Sequence, residues 1–148
     1  MGTLFFLVSR NWLLGFGGNE FLLFLILIFV SLLPDIDEKH SKVNRWSGII
    51  GRFVIHVFKH RGILHSIFFF GAVALVLSWL FGEAYGVAVL LGYFAHVLAD
   101  GITPMGIKLF YPFPWKFSGP MKVGSLVEKL LTLILFLAVL LLFYRIYF

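Results

Sequence analysis

The sequence predicts an all-α integral membrane protein, with about four transmembrane helices and an amphipathic interfacial helix between the first and the second. Three observations carry this reading. Hydrophobic residues fill 61% of the 148 positions and charged residues only 13%. A mean hydropathy of +1.01 with 19% aromatics is more apolar surface than a soluble domain of this size can bury. The charges gather between the apolar segments, leaving the segments themselves almost free of them.

The elements follow in chain order as a single membrane-embedded domain over residues 1–148. Residues 1–18 are apolar but interrupted by Arg10 and Asn11, and Gly15, Gly17 and Gly18 follow as helix breakers. This segment fits either an interfacial helix or half of a hairpin. It lacks the basic n-region, uninterrupted apolar run and small-residue cleavage site of a signal peptide, so it is expected to stay in the mature protein. The first span is expected at about 19–34. Its apolar run, 21–33, covers only roughly 20 Å as a helix and borrows length from Asn19 and Glu20. Pro34 stops it, having no N–H to continue the ladder.

Between Asp35 and His60 lies the strongly polar stretch. Within it Trp46, Ile49, Ile50, Phe53, Val54 and Val57 fall on one helical face, with Arg45, Arg52 and Lys59 between them, as an interfacial amphipathic helix requires. Residues 62–82 carry no fixed charge and reach about 30 Å, the hydrocarbon thickness. A tight turn around Glu83 leads to a third span at 84–101. Residues 102–124 are rich in Pro, Gly and aromatics, so irregular backbone at headgroup level is expected, with Tyr111 and Trp115 as anchors. Ser125 and Glu128 stand at capping-box spacing and open the last span, 126–148.

Charge decides orientation. Four spans place the connections 34–61 and 102–124 on one side, and the N-terminus, the Glu83 turn and the C-terminal end on the other. The first side holds Lys39, Lys42, Arg45, Arg52, Lys59, Arg61, Lys108, Lys116 and Lys122, against Arg10 and Arg145 on the second. The positive-inside rule makes the first side cytoplasmic. The net charge of +5 then describes a basic collar suited to anionic lipid headgroups. Nucleic acid is not an expected partner, because these residues flank spans and form no free basic domain.

Six possible metal ligands stand on that face: Asp35, Asp37, His60, His65, His96 and Asp100. Ionisable groups at membrane depth are costly and point to a functional site. His96 and Asp100 are i, i+4 neighbours on one helical face. A simple carboxylate–histidine pair has the same spacing. His65 lies inside an apolar run, where a polar group without a partner costs on the order of 2 kcal/mol; His60 could equally be a solvated loop residue. Asp35 and Asp37, as i, i+2 neighbours in an extended segment, could share or bridge an ion, or simply pair with nearby lysines. Glu38 and His40 are placed to support ligands, whereas His56 reads as a surface residue. Arg61 and Lys116 could hold a phosphate, and Ser41, Ser66 and Thr103 could orient ligands. For Ser66, a hydroxyl bonded back to its own helix is the simpler account. With no cysteine in the chain, any metal would have nitrogen and oxygen ligands.

Three ordered motifs also carry a resemblance: Leu33-Pro-Asp-Ile-Asp37 with Ser41; His60-Arg-Gly-Ile-Leu-His-Ser66; and Leu91-Gly-Tyr-Phe-Ala-His-Val-Leu-Ala-Asp100 with Thr103-Pro-Met-Gly106. Together with Tyr111-Pro-Phe-Pro-Trp-Lys-Phe117 and Gly124-Ser-Leu-Val-Glu128, they resemble the YdjM-type family of inner-membrane, metal-dependent hydrolases over roughly residues 30 to 130. The resemblance implies a multispanning, metal-dependent protein of hydrolytic class without naming the reaction. Members often have a histidine in an N-terminal helix, and this chain has none before His40. Where Glu38 stands a histidine is common, and Leu64 replaces a frequent threonine.

The expectation is therefore a hydrolase of the inner or plasma membrane whose site faces the cytoplasm. One or two divalent ions, zinc first and manganese second, would be held by the six ligands. Such an ion would activate water against a lipid phosphoester. Arg61 would stabilise developing negative charge, and Glu38 could act as general base. Membrane lipids are the expected partners and a lipid headgroup the expected substrate. The alternatives are a lipid amide or ester hydrolase, a metal transporter, or a metal-stabilised scaffold. A transport path would need polar residues continuing across the bilayer, and 68–80 and 130–143 offer almost none.

Overall fold

Local signals in the chain set the helix boundaries. In the computed structural model, which describes residues 1–37, 48 and 63–148, five α-helices are present: α1 Gly2–Gly15, α2 Glu20–Leu32, α3 Ile67–Phe81, α4 Glu83–Gly101 and α5 Leu126–Tyr147. Asn19 caps α2, its side chain accepting from the Leu22 N–H at 3.1 Å, and Glu20 sits in the first turn, where the helix dipole favours an acid. Ser66 caps α3. Between α3 and α4 only Gly82 intervenes, at φ 110°, a backbone conformation open to glycine and costly for other residues. Ser125 caps α5, accepting from the Glu128 N–H at 3.2 Å. The Glu128 carboxylate accepts from the Gly124 N–H at 2.8 Å, so it reaches one residue beyond the N-cap that a standard capping box would serve.

α4 is the centre of the packing, pressed against α2 and α3 and also against α1. Its small residues make this possible. A Cβ on Gly92 would stand 2.5 Å from the Leu27 carbonyl oxygen of α2, and one on Gly86 would stand 2.5 Å from the Ala74 carbonyl oxygen of α3. The backbones therefore meet through bare glycine, the mode of close approach that membrane helices favour where no hydrophobic effect drives them together. Phe6, Leu7, Leu13, Leu23, Leu27, Ala84 and Ala88 fill the α1–α2–α4 seam, while Val30, Phe70, Ala74, Val89 and Tyr93 fill the α2–α3–α4 seam. There Phe70 stacks on Tyr93 at 4.5 Å between ring centroids, an arrangement that contributes about 1 kcal/mol beyond area burial.

α4 and α5 are long and apolar enough to cross a bilayer. α5 has no buried residue and packs chiefly on α1, turning Leu133, Ile134, Leu137 and Leu141 outward. α3 is a shorter apolar helix, starting five residues after the expected start of its span because a 3-10 turn, Ile63–His65, precedes it. The expected amphipathic helix lies outside the described residues.

Residues 1–18 settle as half of a hairpin. A Cβ on Gly2 would meet Ser31 and Ile28, so the start of α1 lies beside the end of α2 and the two helices run antiparallel. This corrects the expected placement of the N-terminus. Met1 lines the same groove as Ile102, Thr103 and Met121, on the side of the 102–124 connection. At the other end Arg10 clasps Glu20 through both carboxylate oxygens, Nη2 to Oε2 at 2.7 Å, and the Tyr147 hydroxyl donates to Glu20 at 2.8 Å. These bonds tie α1, α2 and α5 together.

The 102–124 connection is irregular, as expected, yet folded. Ile107 and Phe117 exchange backbone hydrogen bonds at 2.7 and 2.9 Å, and the Gly119 and Met121 N–H groups donate to the carbonyls of Thr103 and Ile102. Ile107 is buried, while Trp115 is exposed and stacked on Phe113.

Candidate metal centre

Three structural elements end at one place. α2 closes into a 3-10 turn, Leu33–Asp37, which packs on the Ile63–His65 turn, and the C-terminal part of α4 reaches the end of α2 at Ser31 and the second turn at His65. At this junction His65, His96 and Asp100 offer ligand atoms that all lie within 4.8 Å of one another, and they form the only such group among the described residues.

Local bonds fix each side chain. The His96 Nδ1 is 3.1 Å from the Ser31 carbonyl oxygen. A carbonyl can only accept, so Nδ1 carries the hydrogen and Nε2 is turned to the interior. Sequence explains why that carbonyl is available. Residue 34 is proline, with no N–H to give to the turn above it, so one of the backbone donors that normally reach the end of a helix is missing. His65 is held through its backbone. The hydroxyl of Tyr93 donates to the His65 carbonyl at 2.8 Å, and Tyr93 is itself buried. Ser66 donates to the Tyr111 carbonyl at 3.0 Å, and the Ile67 N–H donates to Leu109 at 2.9 Å, pinning the His65 turn to the 102–124 connection. Asp100 sits at the end of α4, where Thr103 Oγ1 donates to its backbone carbonyl at 2.8 Å.

The resulting geometry suits an ion. His65 Nε2 and His96 Nε2 are 3.4 Å apart, and each is 3.6 Å from Asp100 Oδ2. A triangle with these sides has a circumradius of about 2.0 Å, the usual length of a Zn–N or Zn–O bond. Two imidazole nitrogens and a carboxylate oxygen are also a donor set that zinc and other divalent first-row metals accept. The imidazoles are buried, at 2% and 6% exposure, whereas the Asp100 side chain is 22% exposed. The centre is therefore closed on the helix side and open at the carboxylate. His65, His96 and Asp100 thus form a group that could bind a metal.

The expected site is brought together only in part. Asp35 and Asp37 lie on the 3-10 turn rather than in an extended segment. An extended chain aligns positions i and i+2, whereas about three residues per turn does not. The Asp35 turn adjoins the His65 turn, but Asp35 is not one of the three converging side chains. His60, Arg61, Glu38, His40, Ser41 and His56 lie outside the described residues. Ser66 does bond its own helix, its hydroxyl accepting from the Phe68 N–H at 3.3 Å as a cap, and it also donates to the connection through the Tyr111 carbonyl. Sequence reasoning passed over Tyr93 and Ser31. The signal for Tyr93 was its i, i+3 relation to His96, which places both on one face of α4. For Ser31 it was the proline three residues on.

Comparison with known proteins places this architecture. The family model described as "YdjM inner membrane protein" matches residues 2–148. The chain belongs to the YdjM family. One YdjM relative, the inner membrane protein YdjM of Escherichia coli (strain K12), is 31% identical over 118 residues, covering 74% of this chain and 60% of that protein. The uncharacterized protein YvsG of Bacillus subtilis (strain 168) is 32% identical over 103 residues, 68% of this chain and 64% of its own length. This YdjM-family chain thus spans about three fifths of the curated relatives it matches. No solved structure matches it.

Proposed function

We propose that this chain is a multi-span inner-membrane protein that holds a divalent ion on His65, His96 and Asp100 and hydrolyses a lipid phosphoester at the cytoplasmic headgroup level. The observation that carries the reading is the triangle of two buried imidazole nitrogens and one partly exposed carboxylate oxygen, sized to a metal's bonding radius. Zinc is the first candidate and manganese the second.

α2 to α5 alternate in direction and supply four crossings, with α1 folded back along α2. The shorter helices, α2 and α3, cover roughly 20 Å each and match a bilayer by local thinning and by flanking polar residues that reach to the interface. Lys108, Lys116 and Lys122 lie on the connection at the metal end, which the positive-inside rule assigns to the cytoplasm.

Within the site, His96 presents Nε2 because Ser31 holds Nδ1–H, and Tyr93 fixes the backbone at His65. Asp100, the most accessible of the three, faces the side from which a headgroup would arrive. A divalent ion here supplies Lewis-acid activation of water and of a phosphoryl oxygen. Arg61 is proposed to counter negative charge on the substrate and Glu38 to take a proton.

Elemental analysis of detergent-purified protein tests the reading. About one zinc or manganese per chain is expected in wild type, lost in His65→Ala, His96→Ala and Asp100→Ala while the protein stays monodisperse. Asp35→Ala decides whether the turn after α2 adds a ligand. Metal-dependent release of headgroup or phosphate from mixed phospholipid vesicles then tests the reaction. Wild-type protein that stays metal-free after reloading would overturn the metal centre. Metal without turnover on any lipid phosphoester would overturn the hydrolase and leave a structural ion.

A further inference from the structure

The far end of the helix bundle carries a second polar feature that the metal centre does not use. α1 and α5 pack so that Arg10 and Arg145, 135 positions apart in the chain, line one groove of about 500 Å³ together with Asn11 and the aliphatic Leu7, Val8 and Leu142. No carboxylate lines it. Glu20 lies across α1, in a separate groove with Tyr147 and Phe143.

The donors in this groove are arranged unequally. Arg10 is held by Glu20 through Nε and Nη2, and its Nη1 donates to Asn11 Oδ1 at 3.2 Å. With its oxygen engaged by Arg10, Asn11 keeps its NH₂ as a donor. Arg145 brings an exposed guanidinium and a charge that Glu20, already committed to Arg10, does not neutralise. The groove therefore offers N–H donors and a surplus positive charge above an aliphatic floor, at the level where helices leave the hydrocarbon.

We propose that this groove binds the phosphate of an anionic phospholipid in the leaflet opposite the metal centre. Arg145 and Asn11 donate to the phosphate, Arg10 is its fixed positive backing, and Leu7, Val8 and Leu142 lie along an acyl chain. The phosphate of a phospholipid has only acceptor oxygens, which matches the N–H donors that Arg145 and Asn11 offer here. Basic pockets between membrane helices are the general setting for anionic headgroups, and the aliphatic wall favours a lipid over free phosphate. The inference rests on the membrane-spanning reading and is independent of any metal or reaction.

Native mass spectrometry of the full chain, released from nanodiscs of mixed phosphatidylglycerol and phosphatidylcholine, tests it. Wild type is expected to retain phosphatidylglycerol preferentially. Arg145→Gln should lower that preference roughly five-fold, the share of one basic residue at a membrane surface, and Arg145→Lys should keep most of it. Lys116→Gln, on the other face, should leave it unchanged. Thermal melting of each variant in detergent reports folding, and a melt of Arg145→Gln unchanged from wild type assigns the loss to the groove. Equal retention of the two lipids by wild type would overturn the proposal. So would a preference that survives Arg145→Gln, or one abolished by Lys116→Gln. Competition by millimolar inorganic phosphate as effective as that by phosphatidylglycerol would overturn the lipid assignment.

Discussion

Replacing Gly92 by alanine tests whether close approach of α2 and α4 builds the metal centre. The added Cβ would fall 2.5 Å from the Leu27 carbonyl oxygen and 3.0 Å from the Val30 Cβ. Ordinary contact begins near 3.4 Å, so the two backbones must part by about 0.9 Å at this level. Leu27 and Val30 lie on the last turns of α2 before Ser31. The His96 Nδ1 to Ser31 carbonyl distance, 3.1 Å, would then open to about 4 Å, beyond hydrogen-bonding range. Overpacking of this kind costs about 1–3 kcal/mol, and loss of an outer partner of a ligating histidine lowers metal affinity about 10- to 100-fold. Gly71, on α3, is the control, because a Cβ there meets nothing within 4 Å. Gly71→Ala should be neutral or stabilising by up to about 1 kcal/mol, since alanine loses less backbone freedom on folding. The assay is paired: unfolding by SDS titration in mixed micelles, and metal affinity by competition with a chromophoric chelator. Gly92→Ala with wild-type stability and wild-type affinity would refute the claim that glycine contact between α2 and α4 sets the position of His96.

Two further outcomes follow from named bonds. Tyr93→Phe removes the donor to the buried His65 carbonyl; it should cost about 1–3 kcal/mol in the same SDS titration and weaken metal binding, whereas Phe68→Leu, on the exposed side of α3, should do neither. Ser125→Ala deletes the N-cap of α5 and should cost about 1 kcal/mol. It should also speed amide hydrogen exchange at Val127 and Glu128 while leaving metal content at the wild-type level, because α5 supplies none of the three ligands.

How much of the site was legible in sequence depends on the range of the interaction. His96 and Asp100 are one helical turn apart, so a fixed period of about 3.6 residues already placed them on one face. The cap at Ser125 and the end of α2 at Pro34 were legible for the same reason: a cap or a missing N–H acts within a few residues. The conformation of the Asp35–Asp37 segment was not, because whether a short stretch after a helix extends or winds into a 3-10 turn depends on what it packs against. Here that neighbour is the His65 turn. The direction of α1 was equally hidden. Gly17 and Gly18 permit a reversal, but only the contact of Gly2 with Ser31 and Ile28 fixes it.

The sequence by itself determined that this chain is helical and strongly apolar, where most of its described helices begin and end, and which ionisable residues stand at their ends, since composition, period and capping are local properties. The tertiary structure alone decided which of those residues meet. It brought His65 to His96 across 31 positions, supplied the Ser31 carbonyl and the Tyr93 hydroxyl that hold them, and set Arg10 beside Arg145 at the other end. Those pairings depend on how closely two backbones approach. That distance is set by which small residues face each other across a seam, and no single segment of the chain contains both sides of it.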